Sequence, residues 1–222
     1  MSDPRITIIM ACYGRPQRTL RSIQCIRDQN ITGWEAFIMG DGCPNFKVLI
    51  ETGYLEDIRV QEAEKGNIIH YFNADENGGG HGYKLINHAI ENATGKYLVF
   101  YANDDIISPD HFENYLEIEK TDLDFMYFNS WLDPLNSKRD SMLANSYIGH
   151  SEIIVKTELA KQLPPHGWKY GHDWDFIYSM MKKGKGKKSK DKVTYKVMHI
   201  PAFGTKDTIA VSYTHLRAHE TG

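Results

Sequence analysis

The chain has 222 residues, 41% of them hydrophobic and 12% aromatic, and a formal net charge of -3. That length suits one substantial domain with a real core, and the apolar content excludes a disordered chain. The small net charge gives no general push toward nucleic acid or a membrane surface, and no apolar run is long enough to span a bilayer.

The first residues, MSDPRITIIMACYG, lack the basic head and long apolar stretch of a signal peptide, so the expected compartment is cytoplasmic. Three cysteines, Cys12, Cys25 and Cys43, are too few and too dispersed for a disulfide framework or a zinc site, and read as free thiols in or near the core. Arg5 to Ala11 is a short β-rich apolar run. It breaks at Cys12-Tyr13-Gly14-Arg15-Pro16 into helical spacing at Leu20, Ile23 and Ile26. Trp34 to Met39 reads as the next strand and ends on Gly40-Asp41-Gly42-Cys43-Pro44-Asn45. A helix over Lys47 to Leu55 and a third strand over Asn67 to Phe72 follow. Each β-run thus ends in a polar turn, and in an open parallel sheet such turns gather at the carboxyl edge, where ligands bind.

Asn73 to Tyr83, NADENGGGHGY, is a glycine-rich loop before a helix over about Lys84 to Asn92. Its glycines permit either close backbone approach to a ligand or simple loop freedom. No Gly-Lys-Ser/Thr follows, and the G-x-G-x-x-G spacing after a first strand is missing, so those two nucleotide-binding modes are not expected. Tyr97 to Tyr101 is a continuous apolar run, as in a strand buried on both faces, and it stops on Asn103-Asp104-Asp105. Adjacent carboxylates repel, and a hard divalent cation bridging to phosphate would relieve them. The competing role is to turn the chain and cap the next helix, although Ser108-Pro109 offers its own cap for a helix from Asp110 to about Lys120.

Asp124 to Asn129 is a further strand candidate, and Trp131 to Tyr147 has no assignable pattern. Ser151 to Val155 reads as a short strand, and Lys156 to Gln162 as a helix capped by Thr157. Gly171-His172-Asp173-Trp174-Asp175 opens an amphipathic helix from Phe176 to Lys183, where carboxylates also suit the macrodipole. Lys182 to Lys192, KKGKGKKSKDK, reads as a solvated basic hairpin or loop, with a glycan or anion contact as the sharper alternative. Val193 to Ile200 returns as a strand bearing His199. Val211 onward, VSYTHLRAHETG, resembles a translated sequencing-library adapter. Residues 210–222 are therefore expected to be non-native, with residues 1–209 a domain truncated at its carboxyl end, and His215 and His219 are discounted.

Taken together, ITIIMACYGRP, IMGDG, ENGG, NHAIENATGKYLVFYANDD and GHDWDF resemble a family 2 glycosyltransferase over roughly Arg5 to Gly204. The resemblance implies a single-domain GT-A fold, with a Rossmann-like, mostly parallel central sheet flanked by helices. It implies an inverting transferase that moves a sugar from a nucleoside diphosphate sugar, usually uridine-linked, to a glycan or lipid-linked glycan acceptor, without nucleic acid and with at most peripheral membrane contact. Ala11, Tyr13 and Arg15 fall where the nucleoside pocket is lined, and Asp41 where an aspartate bonds the base. Asp104 falls near the ribose, and Asp105 on the Mn²⁺ or Mg²⁺ that holds the diphosphate. Asp173 matches the catalytic base, and His199 a histidine near the metal. Lys84 and His172 are further candidates for phosphate or acceptor contacts, while Trp168, Tyr170 and Trp174 could stack on a sugar or pack together. Ala102 stands where the family's DxD stretch has its first aspartate, Gly40-Asp41-Gly42-Cys43 replaces Asp-Asp-Gly-Ser, and His172 replaces a common glutamate. Two other readings remain: a non-catalytic sugar-nucleotide or glycan-binding protein, and a nucleotidyltransferase, for which CYGRPQR offers only a faint triphosphate loop.

Overall fold

A computed structural model describes residues 4–169, 171–189 and 192–199. In chain order the elements are β1 (Ile6–Cys12), α1 (Pro16–Arg27), β2 (Trp34–Gly40), α2 (Pro44–Glu51), α3 (Tyr54–Glu64) and β3 (Ile68–Asn73). The central part comprises α4 (Tyr83–Asn92), β4 (Tyr97–Phe100), β5 (Ile106–Ile107), α5 (Asn114–Glu119), β6 (Phe125–Tyr127), β7 (Ser130–Leu132) and β8 (Ser137–Arg139). Last come β9 (Ile153–Lys156), α6 (Thr157–Ala160), α7 (His172–Lys183), β10 (Gly186–Lys188) and β11 (Tyr195–Val197).

Seven strands form the main sheet in the order β10-β6-β9-β4-β1-β2-β3, and a smaller sheet runs β5-β11-β7-β8. β1 pairs in parallel with both β2 and β4, β2 with β3, and β10 with β6; only β9 runs antiparallel to its neighbours β4 and β6. This is the expected single α/β domain with a mostly parallel sheet. Cys12 lies level with Gly40, and Gly40 level with Asn73, so the turns after β1, β2 and β3 leave from one line. The turn after β4 joins them, since the Tyr101 amide donates to the Ile9 carbonyl over 2.9 Å.

Alternation along the strands divides the core in two, because successive side chains point to opposite faces. Ile6, Ile8 and Met10 pack with Ile23 and Ile26 of α1 and with Ile58 of α3. Ile9, Phe37, Met39, Leu98 and Phe100 pack on the other face against Leu85 and Ala89 of α4 and Phe176 and Ile177 of α7. Each fully buried aliphatic side chain contributes about 1.5–3 kcal/mol relative to an exposed one. The polar exception on β1, Thr7, is buried and donates to Glu35 Oε2 over 2.6 Å.

Several elements differ from the sequence expectations. The helix expected over 47–55 starts at Pro44 and is followed by α3, where the left-handed Gly53 (φ 77°) breaks the helical run. The stretch 131–147 holds the end of β7 and all of β8 of the second sheet, strands of three residues each, too short to show a period. Thr157 does not cap: its hydroxyl donates to the Gly95 carbonyl over 2.5 Å, and Lys156 occupies the cap position. Ser108 is spent on the Asp110 carboxylate and provides no cap. Most lysines of the basic run are exposed, as expected, and within it Gly186–Lys188 adds a short strand beside β6. Its lysines pair with acids: Lys185 with Asp122, Lys187 with Glu117, Lys188 with Asp140 and Lys192 with Asp110. All three cysteines are free, as expected, with Cys12 and Cys43 buried. Tyr170, Ile200 and the tail from 210 lie outside the described residues. Among the described residues no helix is long and apolar enough to cross a membrane.

Candidate active site at the carboxyl edge of the sheet

The turns after the parallel strands open onto one cleft of about 1350 Å³, lined among others by Ala11, Tyr13, Arg15, Asp41, Asp104, Asp105, Asp173 and His199. The acidic pair after β4 is held rigidly. Asp105 is 2% exposed, and its Oδ2 accepts from the Tyr195 hydroxyl at 2.7 Å and its Oδ1 from the Met198 amide at 2.8 Å. Its carbonyl accepts from the Tyr101 hydroxyl at 3.0 Å. Asp104, 6% exposed, forms an ion pair with Arg15, while Arg18 lies 3.9 Å from the same carboxylate oxygen and Arg21 donates to the Asp104 carbonyl at 2.7 Å. Burial next to like charge would penalise both carboxylates, and these donors and cations offset that cost.

Arg15 reaches Asp104 from a strained position. It sits at the amino end of α1 in the left-handed region (φ 47°, ψ 54°), a conformation that costs a non-glycine residue on the order of 1–3 kcal/mol. Pro16 then starts the helix. Arg18 and Arg21 follow at helical spacing on the same side, so the turn after β1 brings a cluster of guanidinium groups to the acidic pair.

His199, just beyond β11, places Nδ1 3.4 Å from Asp105 Oδ1 and 3.9 Å from Asp104 Oδ2. Its pKa is raised, first by the hydrogen bond to Asp105 and then by the charge of both carboxylates, against a lowering by burial. One ligand atom from each of Asp104, Asp105 and His199 lies within 4.8 Å of the others. The two carboxylates suit Mn²⁺ or Mg²⁺, the imidazole favours Mn²⁺ of the two, and each carboxylate oxygen keeps a second lone pair beside the bond it already accepts.

Asp41 holds the glycine loop. Its Oδ1 accepts from the Gly78 amide at 2.9 Å, and its carbonyl from Asn77 Nδ2 at 3.1 Å. Gly42 makes this approach feasible: at φ +60°, a Cβ there would lie 2.2 Å from the Asn77 nitrogen. Lys84 is not among the residues lining the cleft; its aliphatic stem packs toward Gly78.

Asp173 lies in the first turn of α7, which starts at His172 rather than Phe176. Its Oδ1 accepts from the Trp174 amide at 2.8 Å, and its carboxylate borders the cleft next to Gly149. Asp175, by contrast, is exposed, as a macrodipole partner would be. Trp174 packs with the core and tilts against Tyr178, whereas Trp168 is 67% exposed beside the glycine loop, its backbone against Gly80.

Sequence reasoning missed Arg18, Arg21, Tyr195 and the buried Glu152. The three-residue spacing of Arg15, Arg18 and Arg21 was a legible signal. Tyr195 and Glu152 were not legible, since their partners are distant in sequence. Glu152 accepts from the hydroxyls of Ser130 at 2.5 Å and Ser141 at 2.8 Å and from the Gly149 amide at 2.8 Å, and so fixes the turn that borders Asp173.

The profile of the family described as "Glycosyl transferase family 2" matches residues 7–182. EpsH of Bacillus subtilis (strain 168), named as a glycosyltransferase, is 24% identical over 149 residues, which is 66% of this chain and 40% of that protein. The chain spans less than half the length of the curated relatives it matches. Among solved structures, S. aureus TarS 1-349 in complex with UDP-GlcNAc is similar with a TM-score of 0.72 at 17% identity, covering 88% of this chain and 59% of that one. The mannosyltransferase PcManGT from Pyrobaculum calidifontis, in complex with GDP-Man and Mn²⁺, is similar with a TM-score of 0.65 at 15% identity, covering 92% and 59%.

Proposed function

Since the chain belongs to glycosyl transferase family 2, we propose that it transfers a sugar, with inversion, from a uridine diphosphate sugar to a hydroxyl of a glycan or lipid-linked glycan. The observation that carries this reading is the convergence of Asp41, the Asp104-Asp105-His199 set and Asp173 on one cleft. TarS, a neighbour in fold, is known in complex with UDP and with UDP-GlcNAc, which favours a uridine donor.

In this reading Ala11, Tyr13, Arg15 and Asp41 take the nucleoside, with Asp104 near the ribose and Lys84 supporting the glycine loop. Asp105 and His199, beside Asp104, would hold a divalent cation, Mn²⁺ or Mg²⁺, and that ion would offset charge on the diphosphate. Arg15 and Arg18 add fixed positive charge at the same edge, where the leaving phosphate becomes more negative as the sugar bond breaks. An acceptor hydroxyl is a poor nucleophile until its proton is taken, and Asp173 takes it as general base while attack proceeds in line. A single displacement with a single base inverts the anomeric centre. The tail 210–222 is non-native in this reading and residues 1–209 are the transferase domain.

The test is Mn²⁺-dependent hydrolysis and transfer of a panel of nucleotide sugars by Asp105→Asn and wild type. The asparagine retains an acceptor for Tyr195 or Met198, which Asp105→Ala would leave unpaired. Metal-dependent turnover should vanish while the melting temperature stays within a few degrees; unchanged turnover removes Asp105 from the metal site.

A further inference from the structure

We propose that His150, His166 and His172 form a second metal site, selective for Zn²⁺, at the start of the helix that carries Asp173 and separate from the acidic pair. The three imidazoles come from three segments: the turn before β9, the loop after α6, and the first residue of α7. One ring nitrogen from each lies within 4.8 Å of the others, and Nδ1 of His166 shares a 3.1 Å hydrogen bond with Nδ1 of His172, a contact whose proton a shared cation would replace. Nitrogens bound to a tetrahedral zinc at 2.0–2.1 Å would be about 3.3 Å apart, with the rings radiating from it and their centres about 5 Å apart. The observed centroid separations are 4.5, 5.2 and 5.7 Å, and His166 stands nearly perpendicular to both others, at 87° and 89°. Small closures and openings of this trio suffice to seat the ion.

Two further observations point to a ligand. Among the described residues, Nε2 of His150 and Nε2 of His166 are buried without a hydrogen-bond partner, and an unpaired buried polar atom costs about 1–3 kcal/mol, a cost that coordination at Nε2 removes. A cation takes up a ring lone pair, and coordination at either nitrogen fixes the tautomer of the ring. The rings are also held in place: His150 stacks on Phe100 at 4.7 Å and His166 on Phe176 at 4.6 Å. Burial keeps them in the neutral, metal-binding form. The His166 pKa is pushed down to about 3, and those of His150 and His172 are lowered, with burial the leading cause in each. Three nitrogen donors without a carboxylate select Zn²⁺ over Mn²⁺ or Mg²⁺, the opposite preference to the Asp104-Asp105-His199 set. The bound ion ties the three segments together and so fixes the first turn of α7. None of this depends on the transferase reading.

The experiment uses the full chain carrying His215→Ala and His219→Ala, so that the tail contributes no imidazole. After chelator treatment it is titrated with ZnCl₂ and, separately, with CoCl₂. Expected are one Zn²⁺ per chain with a Kd below about 1 μM, and a visible absorption band from four-coordinate Co²⁺. Asp105→Asn should retain both, while His166→Gln and His150→Gln, each checked for folding by circular dichroism, weaken Zn²⁺ binding by about tenfold or more. If either histidine variant fails to fold, the Co²⁺ spectrum of the parent chain decides. Binding that is absent, unchanged in both folded histidine variants, or lost in Asp105→Asn overturns the assignment, as does a parent chain without the four-coordinate Co²⁺ band.

Discussion

The hydroxyl of Tyr195 donates to Oδ2 of Asp105 over 2.7 Å and so fastens the last described strand to the acidic turn, with Tyr195 itself 1% exposed. The same hydroxyl accepts from the Ala102 amide at 3.3 Å, so one side chain fixes both ends of the turn. Tyr195→Phe should therefore leave the fold in place but free Asp105 to rotate. In a Mn²⁺ titration of donor hydrolysis, the concentration for half-maximal activity should rise about tenfold, in the range typical when a ligand's supporting hydrogen bond is removed. An unchanged metal midpoint would mean that Asp105 is positioned by Met198 alone.

Asp173→Asn preserves size and keeps an acceptor for the Trp174 amide, but cannot take a proton. Transfer to an acceptor should fall about 10²–10⁴-fold in kcat, with KM for the donor little changed. Steady-state kinetics separates these effects, and a proportionate loss of donor binding would indicate a structural role.

Gly42→Ala tests the latch between β2 and the glycine loop. Alanine at φ +60° costs about 1–2 kcal/mol in conformation alone, and its Cβ would lie 2.3 Å from the Glu76 carbonyl carbon, so the loop must move. Donor binding by calorimetry should weaken markedly, whereas Gly33→Ala, also at positive φ but in open space, should lower only the melting temperature.

Glu35 supplies a pH dependence remote from the cleft. Burial raises its pKa, but hydrogen bonds from His70, Thr7 and Thr94 outweigh this and hold it at about 2. A carboxylate depressed below its unfolded value of 4.5 contributes stability that is fully present above that value and is lost as pH falls toward 2, about 3 kcal/mol in all. Urea unfolding of Glu35→Gln should be less steep in pH between about 5 and 2 than that of wild type. Parallel curves would show that other carboxylates dominate acid unfolding.

Much of the sheet was legible because buried strands and polar turns leave a local pattern. The apolar runs at 6–11, 34–39 and 97–101 each stop at a turn of Gly, Asn or Asp, and parallel pairing carries those turns to one edge. Strands of two or three residues, such as β5, β7 and β8, show no period, and the second sheet they form could not be seen.

The sequence by itself determined which chemistry was available: carboxylates at 41, 104, 105 and 173, histidines at 172 and 199, and the strand ends that present them. Only the tertiary structure decided what each side chain does. Asp105 is held by residues 90 and 93 positions away, Asp104 is paired with an arginine 89 positions away, and His172 is joined by His150 and His166 from separate loops. Such contacts depend on the register of the strands and the packing of helices on the sheet, and neither leaves a local trace in the order of residues.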